Sequence, residues 1–372
     1  MTTPLTKNEF HRYSRHIILP DLGVEGQVKL KNAKVLVVGA GGLGVPVLIY
    51  LAAAGVGELC IVDFDTIEYS NLQRQVIYKT TDVGAEKAEK AKQFINEQNP
   101  EIKVTLKKVW IDSSNALEIV EPYDIIVDGT DNFPTRYLLN DTALILGMPY
   151  VYGSIFRFEG QVSVFNYNDG PNYRDLFPEP PAPELVPNCS EGGVLGILPG
   201  IVGTMQALET IKIITGIGET LSGKLLTIDT LSNQYRTFKF NKRNNSKPIT
   251  TLIDYEQFCN PKKELAEISS IIPIELESLI NSGNDFQLID VREPFEYEIV
   301  HIGGILMPKS EIDQHIKQID RDKKVIVHCR SGKRSADVIQ YLNIEHGFTN
   351  LINLEGGLIR YASDVDPELT IY

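Results

Sequence analysis

With 372 residues the chain has room for two or three domains, and no stretch approaches the roughly eighteen consecutive apolar residues of a membrane span. A formal charge of −13 argues against nucleic acid or an anionic membrane as a general partner, so the basic residues that matter must be local. Four cysteines, at positions 60, 189, 259 and 329, show no regular spacing, which excludes a disulfide scaffold, and the first residues lack the apolar core of a secretory signal, so the expected setting is the cytoplasm.

Phe10, Tyr13 and Ile17 recur at helical spacing and predict one helix over residues 8–19 that docks by that face on a neighbour. Val35–Val38 is a four-residue apolar run, as a strand covered on both faces requires. Gly39, Gly41 and Gly44 follow with G-x-G-x-x-G spacing, which lets a strand turn into a helix whose free N–H groups face an anion. A second buried strand, containing Cys60 as a small core hydrophobe, ends in Asp63 with Asp65 beside it. Asp63 is placed to accept ribose hydroxyls. To this point a dinucleotide-dependent oxidoreductase fits equally well.

The next residues depart from that pattern. Ser70, Asn71, Gln73 and Arg74 come directly after the second strand, where an amide and a planar guanidinium suit a triphosphate whose pyrophosphate must leave. Lys87 lies in a helical stretch, and Asp131 with Asn132 closes the strand-like run 124–132. Taken singly, Lys87 reads as a solvated helix lysine and Asp131-Asn132 as a turn pair. Alternating strands and helices from 34 to about 165 predict a mostly parallel sheet covered on both sides.

Taken in order, RYSRHIIL, GAGGLG, DFDTIEYSNLQRQ, Lys87, DGTDN, EGQVSVF and the run from LFPEPP through NCSEGGV resemble the MoeB/ThiF family, relatives of the ubiquitin-activating enzymes. The resemblance implies an α/β fold with a Rossmann-like nucleotide-binding domain, and ATP-dependent adenylation, with Mg²⁺, of the C-terminal glycine of a small ubiquitin-like sulfur carrier ending in Gly-Gly. It implies that Gly42, Asp63, Asn71, Arg74, Lys87 and Asp131 bind or orient ATP, Asp131 near Mg²⁺. Gly39, Gly41, Gly44, Asp65, Ser70, Gln73 and Asn132 complete the nucleotide site on the same ground. Lys87, Arg74 and Arg15, the last reaching across from the second subunit of a homodimer, are expected to stabilise the α-phosphate in the transition state. Cys189, in NCSEGGV, stands where relatives carry a thiol that attacks the activated carrier, as a thioester or by forming or resolving an acyl disulfide. Relatives also hold a structural zinc with two C-x-x-C pairs. Here Asn172 and Asp175, then Ser246 and Ile249, align with those positions, so no structural zinc is expected.

Residues 168–191 hold six prolines and exclude a central strand, and 203–216 predict a helix. The charged stretch near 263–268 is the expected boundary between domains 1–264 and 265–372, with Cys259 left without a role. Beyond it, Asp290 and Arg292 sit at a strand end, and the β-branched strand VIVH runs into Cys329, a glycine-containing loop and a helix beginning near Ser335. Loop N–H groups, the helix N-terminus, Arg330, Lys333 and Arg334 are expected to favour a thiolate or persulfide on Cys329, with Ser331 and Gly332 completing the loop. His328 points to the opposite face of the strand. These features resemble a single, smaller α/β rhodanese domain, which implies a persulfide on Cys329, loaded by a donor such as a cysteine desulfurase. The C-x4-R loop is one residue shorter than in the related dual-specificity phosphatases, which remain an alternative. A non-catalytic binding scaffold descended from an activating enzyme is another. The leading reading joins both halves: an acyl adenylate made by the first domain meets sulfur from the second, giving a thiocarboxylate for molybdopterin, thiamine or related synthesis.

Overall fold

The apolar run Lys34–Val38 forms β1, buried on both faces from Val35 onward, in a computed structural model that describes residues 4–181, 193–244, 248–259 and 268–372. It is followed by β2 (Glu58–Val62), β3 (Lys103–Lys107), β4 (Ile125–Asp128), β5 (Tyr150–Phe156), β6 (Glu159–Phe165), β7 (Lys224–Asp229) and β8 (Gln234–Lys239). The sheet order is β3-β2-β1-β4-β5-β6-β7-β8. Strands β1 to β5 are parallel, and β6 to β8 join antiparallel. Alternate residues of β1 serve opposite layers: Val35 and Val37 pack on the helix Gly44–Ala54, and Leu36 and Val38 on the layer containing Tyr137 and Leu138. Because the chain winds from β1 outward to β3 and then returns to place β4 on the other side of β1, the loops leaving β1 and β4 part. At such a switch point a crevice opens at the carboxyl ends of the strands.

Two expectations need correction. The stretch 8–19 forms two short helices, Lys7–Arg12 and Ser14–Ile17, with Tyr13 between them. Tyr13 alone of the apolar trio is deeply buried; its hydroxyl accepts from Asn99 Nδ2 at 2.8 Å, whereas Phe10 remains half exposed. Pinning Tyr13 inward breaks the helix that the spacing suggested. The run 124–132 stops being strand at Asp128. Asn132 instead caps the helix Phe133–Leu146, accepting from the Thr135 N–H at 2.9 Å, with Pro134 in the first turn.

The helix expected over 203–216 spans Ile197–Thr215. By length and composition it matches a membrane span, yet it packs on Gly44–Ala54, β5 and β6 as a core helix. At Asn172 and Asp175, two of the positions where the family resemblance would place zinc ligands, hydrogen bonds join the residues. Asp175 accepts from the Asn172 N–H and side-chain amide at 2.9 and 2.8 Å, and from the Arg243 N–H at 2.9 Å. Ser246 lies outside the described residues.

The chain divides into two units, Met1–Pro261 and Lys262–Tyr372. Cys259 ends the helix Tyr255–Cys259 inside the first unit's core, where burial pushes its thiol up to about 12. The second unit comprises β9 (Ser270–Ile271), β10 (Phe286–Asp290), β11 (Ile305–Leu306), β12 (Lys324–His328) and β13 (Leu351–Leu354), all parallel in the order β11-β10-β12-β13-β9. Here the switch point falls between β10 and β12, so Asp290 and Cys329 mark the crevice end of the sheet.

Candidate functional site

The first crevice is a cavity of about 530 Å³. Gly39, Gly41, Gly42, Asp63, Asp65, Asn71, Arg74, Lys87, Asp131 and Asn132 line it. Its floor depends on close backbone approach. A Cβ at Gly39, where φ is +94°, would meet the Gly129 carbonyl oxygen at 2.8 Å, and one at Gly44 would meet the Gly39 oxygen at 1.8 Å. The helix Gly44–Ala54 then starts without a side-chain cap; Pro46 carries no N–H, and the Val45 and Val47 N–H groups donate to the Gly41 and Leu43 oxygens, so the glycine turn itself is the part of the backbone that faces the cavity.

Asp63 fastens the turn: its Oδ2 accepts from the Ala40 N–H at 2.7 Å and its Oδ1 from the Asp65 N–H at 2.8 Å. Burial nonetheless raises its pKa. Lys87 opens the helix Lys87–Gln98, almost fully buried, and donates to Asp65 Oδ2 at 2.8 Å. The Tyr78 hydroxyl bridges the two parts, 2.8 Å from the Ala40 oxygen and 3.2 Å from the Lys87 oxygen. Asn71 is buried and accepts from the Glu68 N–H at 3.2 Å, while Arg74 rests on the Ser70 carbonyl at 3.1 Å. An ammonium and a guanidinium therefore share the wall with Asp63, Asp65, Glu68 and Asp131, a set that suits a phosphate chain accompanied by a cation.

Three expected residues do not join the wall. Ser70 turns to the Glu68 carboxylate at 3.2 Å, the Gln73 side chain packs against Gly196, and Gly44 lies beneath the turn. Arg15 is exposed on the helix Ser14–Ile17 and is also absent from the lining. Cys189 lies outside the described residues. Sequence reasoning missed Glu68 and Gln75, both in the wall, and the edge-on pair of Phe64 and Trp110, ring centroids 4.9 Å apart. Gln75 had a signal, since it ends the same NLQRQ run. Asp128 was missed too: fully buried, it accepts from Thr130 N and Oγ1 at 2.8 and 2.6 Å and from the Tyr150 hydroxyl at 2.5 Å, which shapes the turn to Asp131.

In the second unit, Cys329 leaves β12 fully buried. Gly332, with φ +85°, caps the helix Lys333–His346 and donates its N–H to Cys329 Sγ at 3.2 Å; Ser335 Oγ lies 3.5 Å from the same sulfur. The basic residues frame this loop, and Arg334 and Arg330 also bond to other groups, while Arg334 keeps an electrostatic interaction with Cys329. Arg334 makes a bidentate pair with Glu296 at 2.6 and 2.7 Å, Arg330 Nε donates to the Tyr372 carbonyl at 2.7 Å, and Lys333 is exposed. The Tyr372 hydroxyl joins the network, accepting from Arg292 at 2.9 Å and donating to Glu296 at 2.7 Å. Arg292 itself is buried against Asp290, with a 2.6 Å contact to Oδ2. His328 is buried on the other face of β12, and burial pushes it down to about 4.

Burial works against the Glu296 charge, but the Arg334 bonds prevail and hold its carboxyl at about 2, below the ordinary 4.5. A carboxylate with a depressed pKa contributes stability above the unfolded value that is lost as pH falls through the folded one. Glu296→Gln is therefore expected to cost about 3 kcal/mol at pH 7, and the difference from wild type should shrink as pH falls from about 4.5 toward about 2. Circular dichroism in urea at neutral and acid pH measures both values.

A model of the ThiF family matches residues 13–249, and one of the rhodanese-like domain matches residues 273–364. The probable adenylyltransferase/sulfurtransferase MoeZ of Mycobacterium tuberculosis is 50% identical over 380 residues, which cover 99% of this chain and 96% of that protein. The adenylyltransferase and sulfurtransferase MOCS3 of Aedes aegypti is 41% identical, covering 99% and 90%. Among solved structures, Escherichia coli MccB with ATP superposes with a TM-score of 0.58 at 26% identity, covering 66% of this chain and 76% of that one.

Proposed function

The chain belongs to the ThiF family and carries a rhodanese-like domain behind it, an adenylyltransferase joined to a sulfurtransferase, and from that premise we propose that it activates the C-terminal glycine of a small ubiquitin-like carrier and gives it sulfur. The observation that carries this reading is the coincidence in one chain of a glycine-floored cavity that sets Lys87 and Arg74 among carboxylates and a buried cysteine in an N–H-donating loop. The carrier carboxylate attacks the α-phosphorus of ATP, a P–O bond forms, and pyrophosphate departs with the electron pair of the bond that breaks. Lys87 and Arg74 answer the charge that accumulates there. Hydroxide is a poor leaving group from a carboxylate; AMP is a good one.

The outer sulfur of a Cys329 persulfide then attacks the acyl carbon and AMP leaves, giving an acyl disulfide. A second thiolate attacking the Cys329 sulfur of that bond frees the thiocarboxylate and leaves a disulfide. Cys189 is the sequence's candidate for this thiol, with direct thioester formation as its other role. Hard carboxylate donors suit Mg²⁺, and Asp131 with Glu68 at the cavity wall would hold it, where it supplies charge neutralisation for the polyphosphate. The reading further includes a homodimer that brings Arg15 to the partner's cavity, and no structural zinc, which metal analysis of purified protein checks.

Purified protein given ATP and a Gly-Gly carrier should exchange pyrophosphate into ATP only when the carrier is present. With a persulfide donor added, the carrier should gain about 16 Da as oxygen is replaced by sulfur, read by intact mass. Exchange without any carrier requirement, or a carrier of unchanged mass, overturns the proposal.

A further inference from the structure

A single hydroxyl proton beside Cys329 has three acceptors within reach. Ser335 Oγ, fully buried, lies 2.6 Å from Asn353 Oδ1, 3.1 Å from the Gly332 carbonyl oxygen and 3.5 Å from Cys329 Sγ. The shortest contact takes the proton, so Ser335 donates to Asn353 and turns lone pairs toward the sulfur. That arrangement suits a neutral thiol, whose S–H gains an acceptor. It opposes a thiolate or persulfide anion, which wants donors and already has the Gly332 N–H at 3.2 Å. Asn353 reaches the site from β13, where it lies opposite Val327 of β12. Its carboxamide has an oxygen on one side and two N–H donors on the other. A half-turn about its last torsion sets an N–H against Ser335 Oγ and frees the hydroxyl proton for the sulfur.

We propose that Asn353 is a positioning residue that governs, through Ser335, whether the sulfur on Cys329 is carried neutral or as an anion. Its oxygen holds the Ser335 proton while the thiol is protonated, and its amide group, once turned, directs that proton to the charged sulfur. The only bond broken is S–H, and its proton goes to solvent. The proposal rests on the preceding section only in taking Cys329 as the sulfur-bearing residue.

Among the other charged groups around the loop, Lys333 is exposed and Arg334 acts on Cys329 through space, while the rest are held by partners. Arg334 is paired with Glu296, which also accepts from Tyr372; Arg330 is held by Tyr372; behind the strand Asp290 pairs with Arg292, and His328 lies 3.8 Å from Asp290. These groups are common to every variant below, so differences among the variants isolate the Ser335–Asn353 contact.

The test is the rate at which iodoacetamide labels Cys329 in the full chain, read by mass of its peptide across neutral to alkaline pH, with neither ATP nor carrier present. Ser335→Ala should slow labelling at pH 7 about tenfold, the worth of one lost hydrogen bond to a charged group, and reach the wild-type plateau at high pH. Ser335→Thr, which keeps the hydroxyl, should label like wild type. Asn353→Asp, whose carboxylate only accepts, should slow labelling as Ser335→Ala does, and the double variant should be no slower than Ser335→Ala alone. Asn353→Leu, which removes the competing acceptor, should label at least as fast as wild type. A wild-type rate in Ser335→Ala, a double variant slower than Ser335→Ala, or Asp and Leu at 353 both slowing the reaction would each overturn the proposal. The opposed signs at 353 keep the test decisive if Ser335→Ala fails to fold. Failure here with carrier activation intact leaves the proposed function standing, since labelling consumes neither substrate.

Discussion

Cys329→Ser is expected to stop thiocarboxylate formation, by at least about a thousandfold, while ATP–pyrophosphate exchange stays near wild type. The expectation follows from what the loop is built to hold. A persulfide needs a second sulfur bonded to Sγ, and a serine oxygen neither accepts sulfane sulfur nor returns it at useful rates. The substitution is close to isosteric, and a hydroxyl in the same place can accept the Gly332 N–H that now reaches Sγ at 3.2 Å. The turn at Gly332 and the Arg334–Glu296 pair lie outside the altered atoms, so the loop should keep its shape. Intact mass of the carrier with a persulfide donor gives the transfer rate, and isotope exchange gives the activation step. A serine variant that still yields thiocarboxylate would show that sulfur enters by another route. One that loses pyrophosphate exchange as well would show that the two units do not act as separable chemistries.

The parts of this site that a one-dimensional reading recovers are those whose cause is local. Gly39 and Asp63 announce themselves because a close backbone approach and a strand end each need particular residues within a few positions, whereas Lys87, a solvated helix lysine when taken singly, is picked out only by the family resemblance. Trp110 has no such announcement. It reaches the cavity because β3 lies beside β2, which sets its ring against Phe64 across dozens of residues of chain. The partners of the loop arginines are hidden for the same reason: Glu296 and Tyr372 come to Arg334 and Arg330 only after the second sheet is assembled. Tyr13 shows the converse. Its helical spacing with Phe10 and Ile17 was real, but burial against Asn99 outweighed propensity and split the helix.

Lys87→Ala should lower ATP–pyrophosphate exchange by at least about a hundredfold, on the scale of losing one preorganised transition-state partner. Lys87 is almost fully buried yet points into the cavity wall, and its ammonium is held 2.8 Å from Asp65 Oδ2. A buried lysine is usually costly unless paired. The Asp65 contact fixes the group's position before ATP arrives, so little reorganisation remains when charge builds on the α-phosphate. Asp65 is half exposed, so removing the lysine returns that carboxylate to water and leaves no stranded buried charge. The variant should therefore fold, and Cys329 should label and load with sulfur as in wild type. The loss is expected mainly in the exchange rate at saturating ATP, with a smaller rise in the ATP concentration needed, because the contact strengthens as negative charge accumulates. An unchanged rate at saturation would confine Lys87 to binding, and an unchanged rate at every ATP concentration would remove it from the mechanism.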